Sequence, residues 1–284
     1  MNVVVTGGSG YVGSAVLTAL AEAGHQVKAI ARRPGRTSAS VQWVAGDIRD
    51  MDLLEPFQGA DVVVHLIGII KEIPRERVTF DIMHVDVTRR VIAAMQTLSI
   101  RRLIHMSALG TRANAISHYH RSKWQGEQVV HASPGIEATI LRPSLIFGGD
   151  APFFTLLSAL SRLPVAPVPG DGLTRFQPVF RNDVSRMMVL TLQDGDAIGN
   201  TYELGGPDRF TLNELYDIMA KRQNRESPPK FHVPLGIIAP LAHMSTWVPI
   251  PLTPDQLSML TEPNITEDTR WQRWIPHPYH LADL

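Results

Sequence analysis

Tyr119 and Lys123 close the run Tyr119-His120-Arg121-Ser122-Lys123. On a helix, side chains four residues apart share one face, one turn from each other. A phenol that ionises at about pH 10 is a poor base near neutrality, and a neighbouring ammonium favours its phenolate. The pair therefore suits proton exchange with a carbonyl or an alcohol, Tyr119 as the acid/base and Lys123 tuning it. Lys123 could also hold the ribose of a nicotinamide. Tyr-x-x-x-Lys arises often by chance, so its meaning depends on the rest of the chain.

A second constellation lies upstream. Thr6-Gly7-Gly8-Ser9-Gly10-Tyr11-Val12-Gly13 joins an apolar run to a helical pattern. Glycines there permit positive φ and close approach of an anion to the main chain, and the first N–H groups of the helix face that anion. Gly7, Gly10 and Gly13 fit these roles, although Gly8-x-Gly10-x-x-Gly13 matches the spacing as well. Ser9, Tyr11 and Val12 complete the phosphate-side candidates. At the end of the next strand, a dinucleotide-binding fold selective for NAD places an acid on the ribose 2′-hydroxyl. Here stand Arg32, Arg33 and Arg36 instead, suited to a 2′-phosphate and favouring NADP(H) over NAD(H). Asp47 and Ile48 could bond and pack an adenine; Asp47 could equally cap a turn.

These groups need a scaffold. Short β-branched runs recur at 3–6, 26–31, 41–44, 62–67, 103–107 and 138–142, with helical patterns at 11–23, 85–97 and 118–131. Strands alternating with helices predict an α/β fold, a doubly wound parallel sheet with its ligand crevice at the carboxyl ends of the strands. The rhythm breaks near residue 150, where proline becomes dense. Residues 1–150 read as a Rossmann-type nucleotide-binding lobe and 151–284 mainly as a smaller, irregular substrate lobe. The stretch at about 176–206 should return to the sheet through a strand at 201–204; a helix is expected at 212–221.

Composition narrows the function classes. The 284 residues are 44% hydrophobic, and 27 Lys+Arg balance 27 Asp+Glu. No bulk field gathers nucleic acid or anionic lipid, and the five tryptophans form no stacking array with basic residues. Without cysteine there is no disulfide, thiol nucleophile or iron–sulfur cluster. A cytoplasmic location fits, with no signal-peptide pattern at the start. The uncharged run Val233–Leu252 is broken by four prolines, which argues for a core or lid and against a membrane span. Eleven histidines show no metal-binding spacing, and Gly-x-Ser-x-Gly is absent.

The chain resembles the extended and atypical branch of the short-chain dehydrogenase/reductase superfamily. The phosphate loop, Gly46-Asp47-Ile48, His105-Met106-Ser107-Ala108-Leu109-Gly110, the Tyr119–Lys123 pair and Leu141-Arg142-Pro143-Ser144 follow in the expected order. Within it, the chain is similar to the group holding the dehydrogenase-like accessory subunit of respiratory complex I and its bacterial relatives. That narrower likeness rests on Met106 to Gly110, Arg121 to Glu127, Thr139 to Gly148, Arg175 to Val179 and Leu252 to Gln256.

The resemblance implies a Rossmann fold, NAD(P) binding and oxidoreductase activity on a small-molecule substrate. It sets Leu66, Ile67 and Gly68 along the cofactor's ribose and adenine, and Pro143 by the nicotinamide. A Ser or Thr should accompany the tyrosine, and either Ser107 or Ala108 fills that place. A helix asparagine of the family is replaced around His84-Val85-Asp86. Two opposing readings follow: a binding protein without turnover, with a structural, sensing or assembly role, and a sugar-nucleotide epimerase or dehydratase. A homodimer or an association with a respiratory complex or membrane surface is compatible with the class.

Overall fold

The computed structural model describes residues 1–35, 37–237 and 253–283. Arg36, Trp247, Leu252 and most of the 233–252 run thus lie outside the described residues. The chain divides into two compact units. The first comprises Met1–Pro143, Arg181–Leu204 and Asp268–His277; the second comprises Ser144–Phe180, Gly205–Glu267 and Pro278–Leu284.

The first unit begins with β1 (Asn2–Thr6), α1 (Tyr11–Glu22), β2 (Gln26–Ala31) and β3 (Val41–Ala45). A short α2 (Leu54–Phe57) leads into β4 (Val62–His65). Then come a π-helical turn at Asp81–Asp86, α3 (Val87–Thr97), β5 (Arg102–Met106), α4 (His118–His131) and β6 (Glu137–Pro143). β4 is buried throughout, as a strand covered on both faces must be. Its ladder stops at His65, which leaves Leu66 and Ile67, expected as strand, in the following loop.

The second unit opens with β7 (Ile146–Phe147), α5 (Pro152–Leu160), β8 (Ala166–Pro169), β9 (Arg175–Phe176) and β10 (Val179–Phe180). The chain then returns to the first unit with α6 (Arg181–Leu190) and β11 (Thr201–Leu204). β12 (Phe210–Thr211), α7 (Leu212–Arg222) and β13 (Lys230–Val233) belong to the second. There β7 pairs with β10, β9 with β12 and β8 with β13, and Thr211 and Glu214 close a capping box on α7.

All seven strands of the main sheet run parallel in the order β11-β6-β5-β4-β1-β2-β3. The order reverses between β1 and β4, and ligand crevices of such sheets open at that switch point, beyond the carboxyl ends. One face buries Val87, Val91, Ile92 and Met95 of α3 against Val4, Val63 and Leu103 of the strands. Their helical spacing makes a single apolar stripe.

Candidate active site

The loop after β1 is built by steric necessity. Gly7 takes φ +79°, and its N-terminal neighbour Thr6 ends the strand. Gly10 N–H donates to Gly7 O at 3.0 Å, and Gly10 caps α1. A Cβ on Gly13 would lie 2.2 Å from Gly7 O, so only glycine lets α1 press onto the loop. The first intrahelical bond runs from Ser14 N–H to Gly10 O, which leaves the N–H groups of Val12 and Gly13 directed at the crevice. Ser9 is exposed beside them. Arg181, at the start of α6, lies over the Tyr11 ring at 5.0 Å, and its Nη1 donates to Tyr11 O.

Arg32 and Arg33 follow β2, both exposed, and neither pairs with a carboxylate among the described residues. Arg33 lines a cavity of about 540 Å³ together with Gly8, Ser9, Ser14 and Trp43. Asp47, past the end of β3, is committed to Arg49. Its Oδ1 accepts from Arg49 N–H at 3.0 Å and from Nε at 2.9 Å, and its Oδ2 from Nη2 at 2.5 Å. The turn-capping reading of Asp47 is thus the one its bonds express. These bonds hold its carboxyl down at about 2, against the opposing effect of burial. Ile48 lies in the hydrophobic core, 5% exposed. Leu66 is buried; Ile67 touches the phosphate loop, its Cγ1 standing 3.3 Å from where a Gly7 Cβ would be.

α4 carries the acid–base pair. Ser117 caps the helix by accepting from His120 N–H, and Arg121 holds the approach by donating to Ala115 O and Ile116 O. Lys123, 3% exposed, donates to Met106 O at 3.1 Å and to Ile67 O at 3.4 Å. Its ammonium therefore ties the ends of β5 and β4 together at the crevice, and a Cβ on Gly68 would come within 2.9 Å of it. Burial pushes Lys123 down to about 8, while Glu127 one turn on opposes this. Tyr119 sits among Phe80, His84 and His120, all edge-on to its ring. Burial pushes its phenol up to about 12. The lowering expected from Lys123 does not appear: burial is what acts on the phenol. Pro143, buried at the end of β6, accepts Leu109 N–H at 2.9 Å. Ser107 is buried and meets Thr111 Oγ1 at 3.3 Å; Ala108 O accepts from Thr111 N–H.

Two participants were not assigned from the sequence. Ile69 N–H donates to His84 Nε2 at 3.1 Å, so the proton of this imidazole sits on Nδ1 and points to Ser122 Oγ at 2.8 Å. Ser122 in turn donates to Tyr119 O. His84 and Ser122 thus couple the loop after β4 to the tyrosine's own turn. The departure noted around His84 marked the place, but a buried imidazole leaves no periodic signal. Arg142 grips fully buried Glu127 through Nε and Nη2.

The phosphate loop, the exposed arginines and Lys123 offer N–H groups, cations and glycines at the carboxyl ends of the parallel strands, which is the donor set a dinucleotide needs. Residues 3–205 match the NAD dependent epimerase/dehydratase family. The chain belongs to that family. It is 33% identical over 285 residues to the Arabidopsis thaliana mitochondrial NADH dehydrogenase (ubiquinone) 1 alpha subcomplex subunit 9, covering 93% of this chain and 69% of the plant protein. It is 28% identical over 209 residues to the 40 kDa subunit of the Neurospora crassa mitochondrial NADH-ubiquinone oxidoreductase, covering 72% of this chain and 54% of that subunit. The chain spans 45% of the mouse subunit 9, at 34% identity over 171 residues and 60% of its own length. The fold is that of UDP-glucuronic acid 4-epimerase from Bacillus cereus, solved with UDP-glucuronic acid and NAD (TM-score 0.78, 20% identity, 100% of this chain and 96% of that one). A nucleoside-diphosphate-sugar epimerase from Staphylococcus aureus is equally similar (TM-score 0.79, 19% identity, 99% and 98% covered). No helix among the described residues is long and apolar enough to cross a membrane.

Proposed function

We propose that this member of the family is an NADP(H)-preferring oxidoreductase acting on a small molecule, with Tyr119 as acid/base. The observation that carries the reading is Lys123, a buried ammonium bound to Ile67 O and Met106 O at the carboxyl ends of adjacent strands. It joins the acid–base helix to the loop that abuts Gly7. A bound nicotinamide supplies hydride chemistry, for which no side chain of this chain is equipped. The chain's own groups do the rest. The N–H groups of Val12 and Gly13 hold phosphate, and Arg32 and Arg33 favour a phosphate on the adenosine ribose. Tyr119 Oη gives or takes the substrate proton, and Lys123 holds a ribose and, once the crevice is filled, favours the phenolate.

A second reading is supported by the Tyr119 phenol, raised to about 12 by burial, and by relatives named as subunits of a respiratory enzyme. In it the chain holds the dinucleotide for a structural or assembly role within such a complex and turns over little. Fluorescence titration with NADPH and NADH, followed by turnover across ketones, aldehydes, quinones and sugar nucleotides, separates the two. The oxidoreductase reading expects tighter NADPH binding and a turnover that Tyr119→Phe abolishes. Tight NADPH binding with no Tyr119-dependent turnover selects the second; tighter NADH binding removes the role given to Arg32 and Arg33.

A further inference from the structure

Arg49 uses its whole guanidinium, and its partner Asp47 feels the charge of Arg32, which is left open. Nε and Nη2 take both oxygens of Asp47, while Nη1 donates to Glu76 O at 2.5 Å and Arg77 O at 2.9 Å. The side chain is 12% exposed. The two carbonyls reach one nitrogen because Arg77 adopts φ +56° and closes a tight turn on Pro74 O. The loop that carries Asp47 is fixed from behind as well: Arg90 of α3 donates to Ile48 O and Met51 O. Arg49 is therefore anchored on three sides and cannot swing out to meet an anion itself.

Its partner matters because of what lies next door. β2 and β3 pair with Ala31 opposite Ala45, and Gly46 N–H donates to Ala31 O. Arg32 and Asp47 thus leave adjacent strand ends together, and the Arg32 charge is felt at the Asp47 carboxyl. A carboxylate set loose there would pair with Arg32 and compete for it with any phosphate.

We infer that Arg49 is a specificity-determining residue: by occupying both oxygens of Asp47 it leaves Arg32 open to a phosphate on the adenosine ribose. This rests on the NADP(H) reading above. The planar fork is essential, since a lysine at this position cannot engage two carboxylate oxygens and two carbonyls at once.

The test needs no turnover. Adenosine 2′,5′-bisphosphate, 5′-AMP, NADPH and NADH are titrated calorimetrically into the wild type, Arg49→Gln, Arg49→Lys and the double variant Arg49→Gln/Asp47→Asn. Circular dichroism checks that each is folded. Arg49→Gln should weaken the 2′-phosphorylated ligands about tenfold more than their counterparts, the scale of one charge-assisted contact, with Arg49→Lys intermediate. Adding Asp47→Asn removes the competitor and should restore the discrimination, which a merely structural loss would not do. Equal weakening of both ligand sets, or a double variant no more selective than Arg49→Gln, overturns the inference while the NADP(H) reading stands. A wild type indifferent to the 2′-phosphate overturns both.

Discussion

Lys123 brings a full charge into a place where water cannot follow, and its surroundings decide what that costs. Glu127 lies one turn away, while His65, His84 and His105 feel its charge from β4, the π-turn and β5. Its folded value of about 8 lies below the 10.5 of an ordinary lysine. The unfolded chain therefore binds this proton more tightly between those values, and stability rises with pH across that window. Below pH 8 both states are protonated and the whole cost stands, at most about 3 kcal/mol. Urea unfolding at pH 8 and pH 10 should show this rise in the wild type and a flatter one in Lys123→Met. Equal slopes would mean that Lys123 is not strained by burial. Its place on the same face as Tyr119 was readable from a four-residue spacing. That Nζ turns to Ile67 O and Met106 O was not, because those carbonyls belong to the loop after β4 and the end of β5.

At the scale of elements, the phosphate loop was the most legible part of the chain. Gly7 and Gly13 answer to local geometry, a positive φ and a helix pressed onto its own loop, and local geometry writes itself into residue type. Gly13→Ala places a methyl 2.2 Å from Gly7 O. It should destabilise the fold by about 1–3 kcal/mol and weaken NADPH binding, read by thermal unfolding with and without the dinucleotide. An unchanged melting point and affinity would show that α1 can back away. The π-turn ahead of α3 is not legible in the spacing, which starts a helix at residue 85. Its course depends on distant packing: a Cβ on Gly126 of α4 would lie 2.5 Å from His84 O, and Thr88 Oγ1 donates to the same oxygen. No periodicity within 81–86 encodes that.

Across the whole molecule, three of the four buried imidazoles among the described residues should set the acid limit of the fold. His65 is held at about 3 by burial, and His84 and His105 are pushed well below their ordinary value for the same reason. His65 spends its two nitrogens on Thr6 and Thr88; those of His105 have no hydrogen-bond partner among the described residues. All three folded values lie below the unfolded 6.5, so the stability they allow is complete above that pH and lost as pH falls beneath it. Each contributes up to about 1.4 kcal/mol per pH unit in that fall. Denaturant unfolding from pH 7 to pH 5 should be markedly steeper in the wild type than in His105→Phe; identical slopes would place the acid lability elsewhere.

Readable in the order of residues are the features that short stretches of backbone enforce: seven strands, the helices α1, α3 and α4, the glycine turn, and a phenol and an ammonium one turn apart. Periodicity and glycine placement act over a few residues, so they survive in the order of the chain. How charges are partnered came from packing across the fold. Asp47 went to Arg49, Arg142 to Glu127, Lys123 to two strand ends, and Arg32 and Arg33 were left exposed. The energy of a charge depends on its burial and on groups tens of residues away, and neither is a property of any local segment.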